Sequence, residues 1–279
     1  MLKALRRLVR EALAEDIGQE DITTNRTVPC DARCEVRLMA KEAGVLSGIE
    51  VFRMVFECQR AAIKGWGALP DAQRFSKGDE IATFKGNTQA VLTAERTAMN
   101  LIQHLTGVAT LTSKYVKAVE GLNVKICDTR KTMPMLRQLE KQAVVHGGGV
   151  NHRHSLFNGV VIKDNHIVAA GGIAKAVKRA YEGTHHLMKI EVEVTSLDEF
   201  NQALDAGADV IMLDNMTLDN MRAAAERVKG TKVVLEASGN MNLEHIRKVA
   251  ETGVHVISVG ALTHSAPVVD LSLLIKNVQ

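Results

Sequence analysis

The chain is 279 residues long, 46% hydrophobic and 24% charged, with a formal net charge of +3 and only 3% aromatic residues. That is an ordinary globular composition with ample apolar material for a core. The weak net charge and the shortage of stacking surfaces argue against a nucleic-acid partner, and no apolar run reaches the roughly 18 residues of a membrane span. Cys30, Cys34, Cys58 and Cys127 do not form the two close pairs of a zinc site, and a chain of this size needs no disulfides. Reduced thiols in a cytoplasmic protein are the expectation.

Leu2, Leu5, Leu8, Val9, Ala12 and Leu13 recur at helical spacing and predict an amphipathic helix over 2–15. The arginines of this stretch resemble those of a mitochondrial transit peptide, but Glu11, Glu15 and Asp16 favour a folded helix. Gly18 ends it, and Asp21-Ile22-Thr23-Thr24 opens the next segment. Cys34, Val36, Leu38 and Ala40 alternate with charged residues, which marks a half-buried strand. Residues 49–59 read as helix, Lys77-Gly78-Asp79 as a turn and Ile81–Phe84 as a short strand. A long helix is predicted over 89–105, with Arg96 on the same stripe as Leu92, Met99 and Gln103. Arg96 either lies flat over apolar surface or is delivered into a pocket or across an interface.

After Gly121 the rhythm changes. Short apolar runs at 124–127, 159–162, 189–194, 209–213, 232–235 and 254–258 alternate with helical patterns at 172–182, 197–206, 217–228 and 242–251. Such alternation predicts a parallel sheet. Six visible strands and one indistinct one point to a barrel-like closure, with a doubly wound sheet as the alternative. Residues 269–273 alternate with period two and read as a final strand. The expected architecture is therefore α/β: an irregular barrel of about seven parallel strands in residues 109–266, and an N-terminal α/β sandwich-like domain in residues 1–108, joined by the C-terminal strand segment 267–279.

Chemistry concentrates in residues 128–166. This stretch holds six Arg or Lys (130, 131, 137, 141, 153, 163) and four histidines (146, 152, 154, 166). Such a density suits a small, multiply negative ligand. Barrel active sites lie at the C-terminal strand ends. Those ends carry Asp128-Thr129-Arg130-Lys131, Lys163-Asp164, Glu191 and Glu193, Asp214-Asn215, Glu236-Ala237-Ser238-Gly239 and Ser258-Val259-Gly260. The last two are small-residue loops of the kind that bring backbone N–H groups to a phosphate. Glu193 and Asp214 are candidate Mg²⁺ carboxylates, with an inward ion pair to Lys163 or Arg130 as the even alternative. Lys163 is either a fixed cation or a Schiff-base nucleophile. His152 is expected to hydrogen-bond a ligand carboxylate or protein backbone rather than a metal.

With these residues in place, the chain resembles the quinolinate phosphoribosyltransferase family over nearly its whole length. The matching motifs are Asp21-Ile22-Thr23-Thr24, Glu95-Arg96-Thr97-Ala98-Met99-Asn100, Asp128-Thr129-Arg130-Lys131-Thr132, Gly147-Gly148-Gly149, Asn151-His152-Arg153, Ile162-Lys163-Asp164-Asn165-His166, Glu191-Val192-Glu193-Val194, Leu213-Asp214-Asn215, Glu236-Ala237-Ser238-Gly239 and Ile257-Ser258-Val259-Gly260. The resemblance implies transfer of the phosphoribosyl group of phosphoribosyl pyrophosphate (PRPP) to the ring nitrogen of quinolinate, with loss of CO₂. It implies a homodimer or higher oligomer with shared active sites. Arg130, His152, Arg153 and Lys163, with Arg96 of the partner subunit, would hold quinolinate. Lys131 and Lys163 would reach PRPP. Ser238, Gly239, Ser258 and Gly260 would hold its 5′-phosphate, and Glu193 and Asp214 would face the ribose and Mg²⁺. Lys131, Lys163, Glu193 and Asp214 are thus the expected catalytic set. The chain departs from the family pattern at Met135, at Gln142 and over 154–158, without removing any of these residues. The rival activities are a phosphoribosyltransferase acting on nicotinate, a barrel aldolase using Lys163, and a non-catalytic sensor of phosphorylated ligands.

Overall fold

The computed structural model describes residues 2–279. The chain forms two compact units. The first runs to Leu111 and takes in Val145–Gly147 and Ala266–Gln279; the second comprises Thr112–Val144 and Gly148–Ser265.

The first unit begins with α1 (Leu2–Ile17), whose apolar stripe buries Val9 and Leu13. The short α2 (Ile22–Thr27) is capped by Asp21, which accepts the Thr24 N–H at 2.9 Å. The sheet is built from β1 (Arg33–Ala40), β3 (Lys64–Ala68), β5 (Glu80–Asn87) and β12 (Leu271–Lys276), in the order β12-β1-β5-β3. Two small strands, β2 (Gly44–Val45) and β4 (Arg74–Phe75), pair beside it. The alternation read from β1 is realised: Cys34, Val36, Leu38 and Ala40 are buried and their neighbours are not. Helix α3 (Ile49–Cys58) brings Phe52 and Phe56 to Phe84 and Trp66, a cluster of four of the chain's nine Phe, Tyr and Trp residues. The final strand pairs antiparallel with β1, from Ala40 opposite Leu271 to Glu35 opposite Lys276. Helix α4 (Thr88–Ala118) extends well beyond the predicted 89–105, because Val108, Ala109, Thr112 and Tyr115 continue its buried stripe. Arg96 on α4 is exposed, so its place on the apolar stripe does not make it a core residue.

The second unit carries six parallel strands: β6 (Lys125–Cys127), β7 (Val160–Ile162), β8 (Ile190–Val194), β9 (Val210–Asp214), β10 (Val234–Ser238) and β11 (Val256–Ser258). Their order is β6-β11-β10-β9-β8-β7. The first strand therefore lies beside the last, as a barrel requires and a doubly wound sheet does not. The indistinct seventh strand is reduced to one residue. Val150 bridges Cys127 in parallel, donating to Ile126 O at 2.8 Å and accepting from Asp128 N at 3.1 Å. The crossovers are α5 (Arg137–His146), α6 (Asp164–Ala170), α7 (Ile173–Gly183), α8 (Leu197–Asp205), α9 (Leu218–Val228) and α10 (Ile246–Ala250), and α11 (Ala261–His264) follows β11. Strand β10 runs on to Ser238, past the predicted end at 235, so Glu236 lies inside the strand rather than in a loop.

Gly107 of α4 packs directly on the backbone of Pro267, leaving no space for a Cβ. Gly107→Ala is expected to lower the stability of the first unit by about 1–3 kcal/mol through this overpacking. A urea unfolding curve would show it as a lower midpoint, and an unchanged midpoint would contradict the packing described.

Candidate active site

The strand ends of the second unit open into a pocket of about 400 Å³. Alternation within the strands sets its floor in layers. Glu193 on β8 and Met212 on β9 are register partners, as are Asp214 and Ser238. One step deeper on the same faces stand Glu191 and Glu236, which are 6% and 4% exposed.

Behind the pocket lies a buried ion pair. Lys141 and Asp128 are both 0% exposed. Their contact is close, and Lys141 Nζ also donates to His152 O at 3.0 Å while Asp128 Oδ1 accepts the His152 N–H at 2.9 Å. Two backbone groups of one residue are thus fixed by a charge pair from β6 and α5. Lys141, counted by sequence among the anion-binding cations, is turned inward to serve Asp128. Arg137 is likewise engaged, by Thr132 Oγ1 at 2.9 Å and His154 O at 3.2 Å.

This scaffold presents the cations. Arg130, Lys131, Arg153 and Lys163 all line the pocket. The buried Arg130 Nε has no hydrogen-bond partner. Arg153 Nη1 donates to Gly159 O at 2.8 Å, and burial, then the nearby Arg130, disfavour its charge. A bound anion would relieve both the orphaned donor and the repulsion. Lys163 forms a close ion pair with Glu193. Of the two readings of Glu193, the ion pair to Lys163 is formed.

Of the two readings of His152, the hydrogen bond to protein backbone is formed. Its Nδ1 accepts the Arg153 N–H at 2.8 Å, so the ring proton belongs on Nε2, which faces Glu191 Oε2 at 3.0 Å and Glu236 Oε1 at 3.7 Å. Both ring nitrogens are engaged inside the protein, and His152 also lines the pocket. His152 positions Arg153 and the buried glutamates.

The phosphate-loop residues are arranged by close packing. Ser238 and Ser258 line the pocket. Gly239 takes φ +110°, and a Cβ there would collide with the Asn215 side chain. Asn215, itself at φ 53°, accepts the Asn240 N–H at 3.2 Å. A Cβ on Gly260 would stand 3.1 Å from Lys131 Cδ, and Thr263 Oγ1 donates to Lys131 O at 2.8 Å. Lys131 is thus fixed beside the Gly260 loop. The expected helix behind Gly239 begins only at Ile246, and α11 is four residues long. An anion here would rest on loop N–H groups and side chains, with little help from a helix dipole.

A parallel barrel with a convergent cation cluster and small-residue loops at its strand ends fits an enzyme that takes small, multiply negative substrates. The C-terminal domain model of quinolinate phosphoribosyl transferase matches residues 108–274, and its N-terminal domain model matches residues 21–106. The chain belongs to the quinolinate phosphoribosyltransferase family. It is 40% identical over 269 residues to the probable nicotinate-nucleotide pyrophosphorylase [carboxylating] of Bacillus subtilis, covering 96% of this chain and 92% of that protein. It is 39% identical to the Mycobacterium leprae nicotinate-nucleotide pyrophosphorylase [carboxylating], covering 97% and 96%. The nicotinate-nucleotide pyrophosphorylase structure from Francisella tularensis superposes with a TM-score of 0.93 at 43% identity, covering 98% of this chain and 96% of that one. Sequence reasoning assigned no role to Glu191 or Glu236. The signal was present, since carboxylates inside apolar strand runs are rare without a partner.

Lys141→Met leaves Asp128 as a buried, uncompensated charge. It is expected to cost about 3–5 kcal/mol in stability, and adding Asp128→Asn in the same chain is expected to recover much of that loss in chemical denaturation. A single variant as stable as the parent would contradict the role of the pair.

Proposed function

We propose that this pocket holds quinolinate and PRPP together, and that each strand end handles one part of the reaction. The chain is a decarboxylating quinolinate phosphoribosyltransferase of de novo NAD biosynthesis. It transfers the phosphoribosyl group of PRPP to the quinolinate ring nitrogen and releases pyrophosphate, CO₂ and nicotinate mononucleotide. The observation that carries the site assignment is the convergence of Arg130, Arg153 and Lys163, two of them with unmet electrostatic demand, in one pocket.

Arg130 and Arg153 receive the two substrate carboxylates. The attacking pyridine nitrogen carries no proton, so this step needs no general base. Pyrophosphate leaves C1′ with oxocarbenium-like character, as in glycoside cleavage. Lys131, seated beside Gly260, meets the leaving charge, and Ser238, Gly239 and Ser258 receive the 5′-phosphate. The Lys163–Glu193 pair places a cation and a carboxylate between the acid substrate and the ribose. Asp214 is the carboxylate that would hold Mg²⁺: it lines the pocket, and its Oδ2 accepts from Asn215 Nδ2 at 3.1 Å. Bound there, Mg²⁺ supplies charge neutralisation for pyrophosphate. Arg96, exposed on α4, is assigned to the quinolinate site of the partner subunit in a homodimer. Among the described residues no helix is long and apolar enough to cross a membrane.

The aldolase reading fares worse because Lys163 Nζ is engaged by Glu193 and shares its pocket with Arg130, Lys131 and Arg153, a lining suited to anions. The fold is shared with human nicotinic acid phosphoribosyltransferase at a TM-score of 0.62 and 13% identity. The paired arginines favour a dicarboxylate over nicotinate.

Arg153→Ala is expected to raise the quinolinate KM about 10²-fold, within the 2–5 kcal/mol typical of truncating a buried charge partner, while the PRPP KM changes little. Equal loss of both substrates would contradict the division of roles. Mixed Arg96→Ala and Lys163→Ala variants are expected to regain activity on subunit exchange. No recovery after confirmed exchange would place Arg96 outside the site.

A further inference from the structure

Beneath the pocket lies a group that phosphoribosyl transfer does not use. His152, Glu191 and Glu236 bring their ligand-type atoms within 4.8 Å of one another. Glu191 Oε1 and Glu236 Oε1 are buried without hydrogen-bond partners. Burial beside a second carboxylate disfavours the charge on Glu236, so a cation is favoured there. A metal ion fits poorly. Both His152 nitrogens are already engaged, and Arg130, Arg153 and Lys163 surround the same pocket. The cation that fits is a proton on Glu236. Burial, then the Glu191 charge, push Glu236 up to about 7, against His152, Ser258 and Lys163. Those four residues, from β8, the segment after Val150, β11 and the end of β7, are joined by Cys127 of β6 as the titratable and polar groups facing Glu236.

The reaction has a matching need. When CO₂ leaves the N-ribosylated ring, the electron pair of the broken C2–carboxylate bond stays on C2, and product forms only when a proton arrives there. Arginines cannot supply it. Lys163 is held by Glu193, and Lys131 sits beside the Gly260 loop. Glu236 lines the pocket with the two arginines assigned to the substrate carboxylates.

We propose that Glu236, beside Glu191 on the pocket floor, is the acid that protonates C2 of the pyridine ring after decarboxylation. The C2–CO₂ bond breaks, its electron pair takes the proton from the Glu236 carboxyl, a C2–H bond forms, and Glu236 is left as a carboxylate. His152 Nε2–H, 3.0 Å from Glu191 and 3.7 Å from Glu236, stabilises whichever carboxyl is charged. Solvent restores the proton after the product leaves the open pocket. Electrostatics favour the timing. The incoming dianion keeps Glu236 protonated, and the cationic ring formed by transfer favours proton release.

The proposal rests on the pocket being the quinolinate site, and the two are tested apart. Arg153→Ala reads substrate binding through KM; Glu236→Gln reads the later step through kcat. With Mg²⁺, PRPP and quinolinate, Glu236→Gln is expected to keep the quinolinate KM within about threefold. Its single-turnover release of pyrophosphate should run ahead of nicotinate mononucleotide, and kcat should fall about 10²-fold, the low end of general-acid effects. The parent kcat should decline as pH rises and Glu236 loses its proton, and this alkaline limb should vanish in the variant. A kcat within threefold of the parent, with the limb intact, overturns the proposal. Glu191→Gln, which keeps the Glu236 carboxyl but removes its charged neighbour, should move the limb to lower pH; an unmoved limb also overturns it. So does a transition metal bound stoichiometrically by the parent and lost in Glu236→Gln.

Discussion

The contact between Asp128 and Lys141 is the interaction on which the pocket depends. A fully buried charge pair adds little net stability over an apolar pair, but breaking it is costly. What it supplies here is position. Asp128 leaves the first barrel strand, Lys141 comes from the helix that follows, and together they grip both backbone polar groups of His152. His152 in turn accepts the Arg153 N–H. The segment replacing the seventh strand pairs with β6 only through Val150. Without the ion pair, little ladder bonding would fix the residues that carry Arg153.

Charge is distributed around the pocket in two depths. At the mouth, Lys163 and Glu193 neutralise one another, while Arg130 and Arg153 repel and remain unmet. That imbalance suits a substrate with two negative charges, since binding removes a repulsion as well as forming ion pairs. On the floor the imbalance is opposite: burial and the Glu191 charge disfavour ionisation of Glu236, and each glutamate has an oxygen without a hydrogen-bond partner. Excess positive charge above and a protonated acid below are what a dicarboxylate losing one carboxylate requires.

Much of this was legible in the sequence, for identifiable reasons. The six barrel strands are short apolar runs buried on both faces, and the predicted run at 189–194 differs from Ile190–Val194 by one residue. The antiparallel sheet was visible where one face is wet, as in the alternation of β1. The errors arose where a polar residue faces inward. Glu236 and Ser238 were read as the end of a strand that in fact contains them. Lys141 was counted as a ligand cation because sequence does not show that its partner Asp128 is buried. Nothing in the order Asn-His-Arg shows that the Arg153 N–H reaches His152 Nδ1. Helix α5 was not seen because its buried face carries Glu140 and Lys141 among the aliphatics.

The most direct test uses quinolinate with an isotopic label in the carboxylate next to the ring nitrogen, incubated with the protein, Mg²⁺ and PRPP. Labelled CO₂ is expected in equal amount to pyrophosphate and nicotinate mononucleotide. A nucleotide product that retains the label, or pyrophosphate released without CO₂, would contradict the account.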